Sequence, residues 1–458
     1  MRALGRFLLV LLVLVAIGAG GAWIWAGRQP GPDLQFRQPD RFIGQTTQLD
    51  LMAAAPDGRF SRLDVAVEQG GMSYPVFSIG PAQGPTSPNT AERLYVMRPI
   101  GKTAIPQLKQ GPARIVVHAA RPVLFGLREA SVDLAHDVQV RLEPPQASIV
   151  STFHYVNLGG AEFVVYRASP ADVESGVRVG DRNYPGFPAA AIGVTSDPTL
   201  HVAFFALSYD QDVKTPISVV ATDPAGNATV VPLDHMAFSK PFSRSTIAVD
   251  SWVGRVVPPI VANTPEMKLS SDPADLVPNF VRINSDLRRQ NADTIAALAK
   301  KTRPEMMWKE PFQPLVNAAV EAKFADFRTY TFMGKEIDRQ VHLGFDLAVT
   351  QQVPIAAAQR GVVVHAAYLG IYGNCVIIDH GLGVMTLYGH LSSIAVKIGD
   401  MVEKGQVLGR SGTTGLAAGD HLHFTVLVNG TPVNPVEWWD PKWMTDRVFR
   451  KVREAGGA

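Results

Sequence analysis

The run FLLVLLVLVAIGAGGAWIWA, residues 7–26, carries no charged side chain, and nothing else in the chain limits its possible structures as much. Twenty such residues wound as an α-helix cover about 30 Å, the thickness of a bilayer's hydrocarbon core. Arg2 and Arg6 precede the run, and Trp23 and Trp25 fall where an interfacial aromatic belt lies. That polarity predicts export of everything after it. Two readings fit: an uncleaved anchor in the inner membrane, or a signal peptide with its apolar core at 7–17 that is removed. Either places residues 28 onward outside the cytoplasm. The anchored form is single-pass with its C-terminal part in the periplasm; the cleaved form is periplasmic or secreted.

The rest of the composition narrows the class. Of 458 residues, 46% are hydrophobic and 18% charged, which suits packed cores and excludes a disordered chain. Lys plus Arg number 43 against 41 Asp plus Glu, so no electrostatic footprint for nucleic acid exists. The single cysteine, Cys375, excludes a disulfide framework, and its apolar setting NCVIIDHG marks it as a packing residue rather than a nucleophile. The 40 Gly and 34 Pro favour a mainly β chain.

Composition shifts divide the exported part. Residues 27–44 read as a linker. From 45 to 262 short β-branched or aromatic runs, such as ARIVVHA (113–119) and HVAFFALSY (201–209), alternate with turn clusters. Two β-sandwich modules, 45–145 and 146–262, fit the length, and a single large β-domain fits as well. The segment ISVVATDPAGN resembles the last hairpin of immunoglobulin-like modules of bacterial surface proteins. Residues 264–303 have helical spacing, with Asp272-Pro273 as a helix start and Pro304 as a stop, and predict a helical hairpin. Residues 311–440 are again β-rich. The tail 441–458, with five basic and two acidic residues, predicts a short basic helix that is solvated or touches a membrane surface.

Chemistry concentrates in the histidines. Six of 11 lie between 342 and 423. In HLHF, His421 and His423 share one face of a strand while Leu422 and Phe424 enter the core. In HLGFD, His342 and Asp346 would lie about 13 Å apart on a straight strand, so a bend at Gly344 is required for joint action. In YGHLS, Gly389 permits close backbone approach and His390 sits at a strand end. His342, Asp346 and His423 together make a two-nitrogen, one-oxygen donor set suited to one catalytic Zn2+ with an open fourth position. His390 and His421 remain as imidazoles for proton transfer and oxyanion stabilisation. No HExxH helix and no GxSxG turn is present.

HLGFD, YGHLS and GDHLHF, in this order, resemble the lysostaphin-type (LytM-type) zinc endopeptidases that cut peptidoglycan peptide crosslinks. The likeness covers about 311–440 and extends to GIYGNCVIIDHG, GDMVEKGQVLGRSGTTG and VNPVEWW. It implies a compact antiparallel β-domain whose sheet forms a groove. It implies zinc on His342, Asp346 and His423, catalytic roles for His390 and His421, and peptidoglycan stem peptides as partners. Degenerate family members instead activate cell-wall amidases without catalysis, and this is the alternative reading; all five motif residues are present here. Asp379 and His380 are expected to hold a loop, either orienting a site histidine from behind or purely structurally. Asn374 and Tyr388 are expected to line the groove. Lys404 lacks the Met-Lys context of a carrier-domain hairpin. The β-modules are expected to act as a spacer or protein-partner platform, and 264–303 to cover the groove.

Overall fold

The computed structural model describes residues 2–56, 58–80 and 93–457. Residues 57 and 81–92, inside the expected first module, lie outside the described residues. The chain divides into two units, Met1–Pro145 with Thr222–Ala228, and Gln146–Ala221 with Thr229–Ala458.

In the first unit the apolar run is helical over Arg2–Ala26, and the 23 residues Leu4–Ala26 are long and apolar enough to cross a membrane. None of that stretch is buried against protein until its end, where Ala26 packs with Val123 and Ala130 and the Arg128 guanidinium donates to the Trp23 carbonyl at 2.7 Å. Beyond the helix come two sheets. One pairs Asp33–Gln38, Gln48–Ala54 and Arg93–Pro99; the other joins Phe42–Ile43, Arg128–Val140, Gly111–Val123, Arg62–Gln69 and Met72–Ile79. The period-two pattern of Gln48–Ala54 sends Leu49, Leu51 and Ala53 into a core shared with Val65, Ile115 and Val117 of the other sheet.

The second unit is larger. Two four-stranded sheets built from residues 146–232 come first. The strand Arg244–Ala248 then pairs in parallel with Asp326–Phe332, which forms a hairpin with Lys335–His342. An eight-stranded sheet runs Ala319–Ala322, Phe345–Ala348, Leu422–Val428, Val384–Leu391, Asn374–Asp379, Gly361–Tyr368 and Met401–Val402, with Thr431–Val433 on Leu422–Val428. Phe163 and Phe204 share one apolar core with Trp308, Phe312, Trp438 and Val448.

Three expectations are corrected. The expected linker 27–44 holds two paired strands, Asp33–Gln38 and Phe42–Ile43, each part of a sheet of the first unit. Residues 264–303 do not form a hairpin: Leu276–Arg282, Ile283–Leu287 and Arg288–Ala299 run on as one helix, preceded by Val253–Asn263. Asp272 does cap the start, accepting from the Ala274 N–H at 2.8 Å, but no breaker interrupts the helix between Leu276 and Ala299. The π turn at Ile283–Leu287 absorbs one residue and keeps Phe280, Ile283, Leu287 and Ile295 buried. The basic tail is not solvated either. Met444, Val448 and Val452 are buried, and Lys451, 1% exposed, donates to Glu162 Oε1 at 2.9 Å and to the Phe163 carbonyl at 2.7 Å. A charged lysine fits there because its amine finds a carboxylate and a carbonyl.

Beside that pair, buried Glu437 accepts from Asn157 Nδ2 at 2.7 Å and from the Ala161 N–H at 2.8 Å. Burial pushes its carboxyl up from 4.5 to about 7 against those two hydrogen bonds. The folded state therefore holds a proton that the unfolded state releases. The resulting stabilisation, about 3 kcal/mol, is complete below pH 4.5 and lost as the pH rises through about 7. Glu437→Gln is expected to flatten this slope. Denaturant unfolding followed by tryptophan fluorescence at pH 5 and pH 8 checks it; a wild-type-to-variant difference equal at both pH values would refute the assignment.

Candidate metal centre

Strand register assembles the centre. His423 lies opposite Asp346 on one side and opposite Gly389 on the other, so the Asp346 and His423 side chains leave the sheet on the same face. His342 ends its strand, and across Leu343 and Gly344 the chain passes from the three-stranded sheet into the eight-stranded one. The bend closes the straight-strand gap: His342 Nε2 and His423 Nδ1 each stand 2.9 Å from Asp346 Oδ1 and 3.0 Å from each other. Gly344 is needed for a reason other than its backbone freedom. A Cβ there would sit 2.6 Å from the His423 ring. Positive φ falls instead on His390, at 63°, a strained conformation for a side-chain-bearing residue that costs about 1–3 kcal/mol. It turns the His390 ring toward His421 and His423, with ring centroids 4.8 and 5.7 Å away.

Outer hydrogen bonds fix each tautomer. His342 Nδ1 donates to the Lys323 carbonyl at 3.1 Å, which leaves a lone pair on Nε2. Thr425 Oγ1 gives its proton to the Leu343 carbonyl at 3.0 Å and so must accept from His423 Nε2 at 3.1 Å, which leaves a lone pair on Nδ1. Two nitrogen lone pairs and a carboxylate oxygen thus meet within about 3 Å of one another, an arrangement that repels itself without a shared cation. His342, Asp346 and His423 form a group able to hold a metal ion, and the donor chemistry fits one. His390 Nδ1 donates to the Thr414 carbonyl and His421 Nδ1 to the Gly419 carbonyl, both at 2.8 Å, so each keeps Nε2 free. His421 Nε2 is 3.5 Å from Asp346 Oδ1.

The electrostatics reflect burial and the one carboxylate. Burial pushes the His423 imidazole down to about 4 and holds His390 well below its ordinary range. Burial is the largest single influence on His421 and acts the same way, but the Asp346 carboxylate, the Gly419 carbonyl and Glu321 together outweigh it and the net shift is upward. Asp346 is held well below the carboxylate range, because His342, His421 and His423 in their protonated forms together overcome its burial. The far oxygen of Asp346 accepts from Arg328 Nη2 at 3.2 Å, and Arg328 Nε reaches Asp326 Oδ2 at 3.1 Å. That contact leaves Oδ1 as the oxygen facing the two imidazoles.

The five motif residues line one cavity of about 260 Å³. Its walls also include Tyr372, whose ring lies 5.4 Å from that of His423, Trp252 just before the helix Val253–Asn263, and Arg288 of the helix Arg288–Ala299. The other four expected residues stand apart from it. Asn374 donates to the Leu391 carbonyl at 3.1 Å, and Tyr388 is buried with its hydroxyl on the Ala358 N–H at 2.7 Å, so neither lines the groove. His380 bonds the Arg360 carbonyl and Thr386, and Asp379 accepts from Thr302, the Arg303 N–H and the Gly381 N–H. They clamp a loop and touch no site histidine. Sequence reading missed Thr425, Arg328 and Arg288. Thr425 carried a signal, since it stands two residues after His423 on the same strand face.

Residues 340–435 match peptidase family M23. The chain carries a peptidase M23 domain. DD-carboxypeptidase/endopeptidase Mpg of Neisseria meningitidis is 39% identical over 124 residues, 27% of this chain and 28% of that protein. Peptidoglycan DD-endopeptidase ShyA of Vibrio cholerae is 44% identical over 96 residues, 21% of this chain and 22% of that protein. The chain therefore spans less than a third of the length of these relatives. The catalytic domain of the antimicrobial peptidase lysostaphin from Staphylococcus simulans is 28% identical, with 27% of this chain and 92% of that one covered at a TM-score of 0.23. Ile247, Trp252 and Arg288 line the M23 cavity from outside the matched residues.

Thr425→Val keeps the shape of the M23 site but removes the acceptor for His423 Nε2–H. Affinity for a divalent ion is expected to fall about 10- to 100-fold. Competition with a chromophoric chelator measures it, and an unchanged constant would show that the hydroxyl does not set the tautomer.

Proposed function

We propose that this chain is a zinc-dependent endopeptidase that hydrolyses peptide crosslinks of peptidoglycan. Its N-terminal helix holds it in the inner membrane, and the M23 domain works in the periplasm. The observation that carries the reading is the meeting of the His342, His423 and Asp346 donors in one cavity with two further imidazoles whose Nε2 atoms are free. The M23 match and the peptidoglycan hydrolases it resembles supply the substrate class.

His342, Asp346 and His423 would hold the zinc, which when bound polarises the scissile carbonyl and acidifies a water. His390 Nε2 accepts the proton of the attacking water, since its Nδ1–H is committed to the Thr414 carbonyl. His421, its Nδ1–H held by the Gly419 carbonyl, stabilises the developing oxyanion when its Nε2 is also protonated, and the leaving amine takes the proton that His390 removed from the water. Arg328 keeps Asp346 from rotating by holding its far oxygen.

The test uses the full chain in detergent with isolated sacculi, the released muropeptides being identified by mass spectrometry. Chelator-sensitive release of crosslink-cleaved peptides is expected. His390→Ala should lower the rate about 100- to 10,000-fold while one zinc per chain is retained, whereas His423→Ala should lose the zinc as well. Stoichiometric zinc without cleavage in the wild type would overturn the peptidase reading in favour of the amidase-regulator reading.

A further inference from the structure

Arg288 is a charged part of the cavity wall that the chemistry above leaves unused. Its Nε donates to the Asn284 carbonyl at 3.0 Å and its Nη2 to Asn284 Oδ1 at 2.6 Å. Asn284 is itself fixed, being fully buried with its Nδ2 on Asp338 Oδ2 at 2.7 Å. The guanidinium is therefore held in one orientation by a neighbour one helical turn away. Those two bonds leave Nη1 and the second Nη2 proton unspent.

The surroundings do not explain the charge. Among the described residues no carboxylate pairs with Arg288, unlike Arg328, which is spent on Asp326 and Asp346. The cavity wall it shares includes Ile247, Trp252, Ile371 and Leu416 beside the histidines and carboxylates of the site. A half-buried cation in such a wall gives up hydration without a counter-ion in return. A rigid fork of N–H donors matches a planar carboxylate. Glu321 also lines the cavity and turns an anion away from its own side.

We propose that Arg288 binds a carboxylate of the peptide that enters the M23 cavity, so that the helix before the M23 domain supplies substrate specificity. The peptide comes from the proposed function, while the anion site rests on Arg288 alone. The ligand class is a peptide with a free carboxylate.

Binding and cleavage separate the two readings. Calorimetry on the zinc-loaded full chain in detergent, in a His390→Ala background that spares the ligand, would compare a synthetic stem pentapeptide with its fully amidated counterpart. Amidation is expected to weaken binding about 10- to 100-fold. Arg288→Gln should bind both peptides with the affinity of the amidated one, and Arg288→Lys should recover part of the difference. Equal binding of the two peptides by the Arg288 protein, binding of neither, or discrimination that survives Arg288→Gln would each overturn the assignment. Cleavage of sacculi by the chain with His390 intact is scored separately. Its absence would refute the peptidase reading while carboxylate-selective binding still upheld the anion site.

Discussion

Two imidazole lone pairs aimed at one carboxylate oxygen form a contact that folding alone would not favour. In the M23 domain this contact is imposed from behind. Lys323 and Thr425 take the outer protons of His342 and His423, and Arg328 occupies the far oxygen of Asp346. The antiparallel register that sets Asp346 and Gly389 on either side of His423 then fixes where the donors meet. A one-residue slip of either neighbouring strand would send a donor to the opposite face. The cost of the arrangement is therefore met by the sheet, and the site depends on the sheet's register more than on any loop.

The sheet in turn depends on parts of the chain outside the family match. Arg244–Ala248 pairs with Asp326–Phe332, whose hairpin partner ends at His342. Trp438 and Phe204 lie 5.7 Å apart in one core, and Lys451 of the tail reaches Glu162 at 2.9 Å. The helical segment is as firmly built in: Phe280, Ile283 and Leu287 are buried, and Asn291 accepts from the Ile371 N–H at 3.0 Å. Exposing three such side chains costs about 5 kcal/mol or more. That magnitude favours a fixed wall over a lid that swings away, and it suits a segment that carries a specificity residue.

The five motif residues were legible because their chemistry is local: a strand period of two joins His421 to His423, and geometry demanded a bend after His342. The mainly β architecture and the apolar helix were legible for the same reason, since each arises from spacing along the chain. The illegible features depend on partners distant in sequence. Arg288 reads as one more surface arginine of a helix until the fold sets it beside Tyr372 and the histidines. The tail reads as basic and solvated because nothing nearby announces Glu162. Asp379 and His380 left two roles open, support of the centre or of a loop alone, and what decides between them are the distant partners Thr302 and Arg360. The helical hairpin failed on a finer point, since a π turn lets one helix keep its apolar side through a break in phase that reads as a turn.

His390 shows how the two levels meet. The glycine before it suggested that the backbone there is unusual, and it is, but the left-handed residue is the histidine itself. Gly389 faces His423 across the sheet, and a Cβ there would lie 3.3 Å from the Tyr372 carbonyl oxygen, a tight approach, and 3.5 Å from the His423 Cβ. The strain thus sits on the residue whose ring must turn out of the strand's alternation to join His421 and His423. Local strain of about 1–3 kcal/mol at a single residue persists only where the surroundings over-determine it. Here the Thr414 carbonyl and the two flanking imidazoles do so, which ties the backbone of His390 to the same cavity its side chain serves.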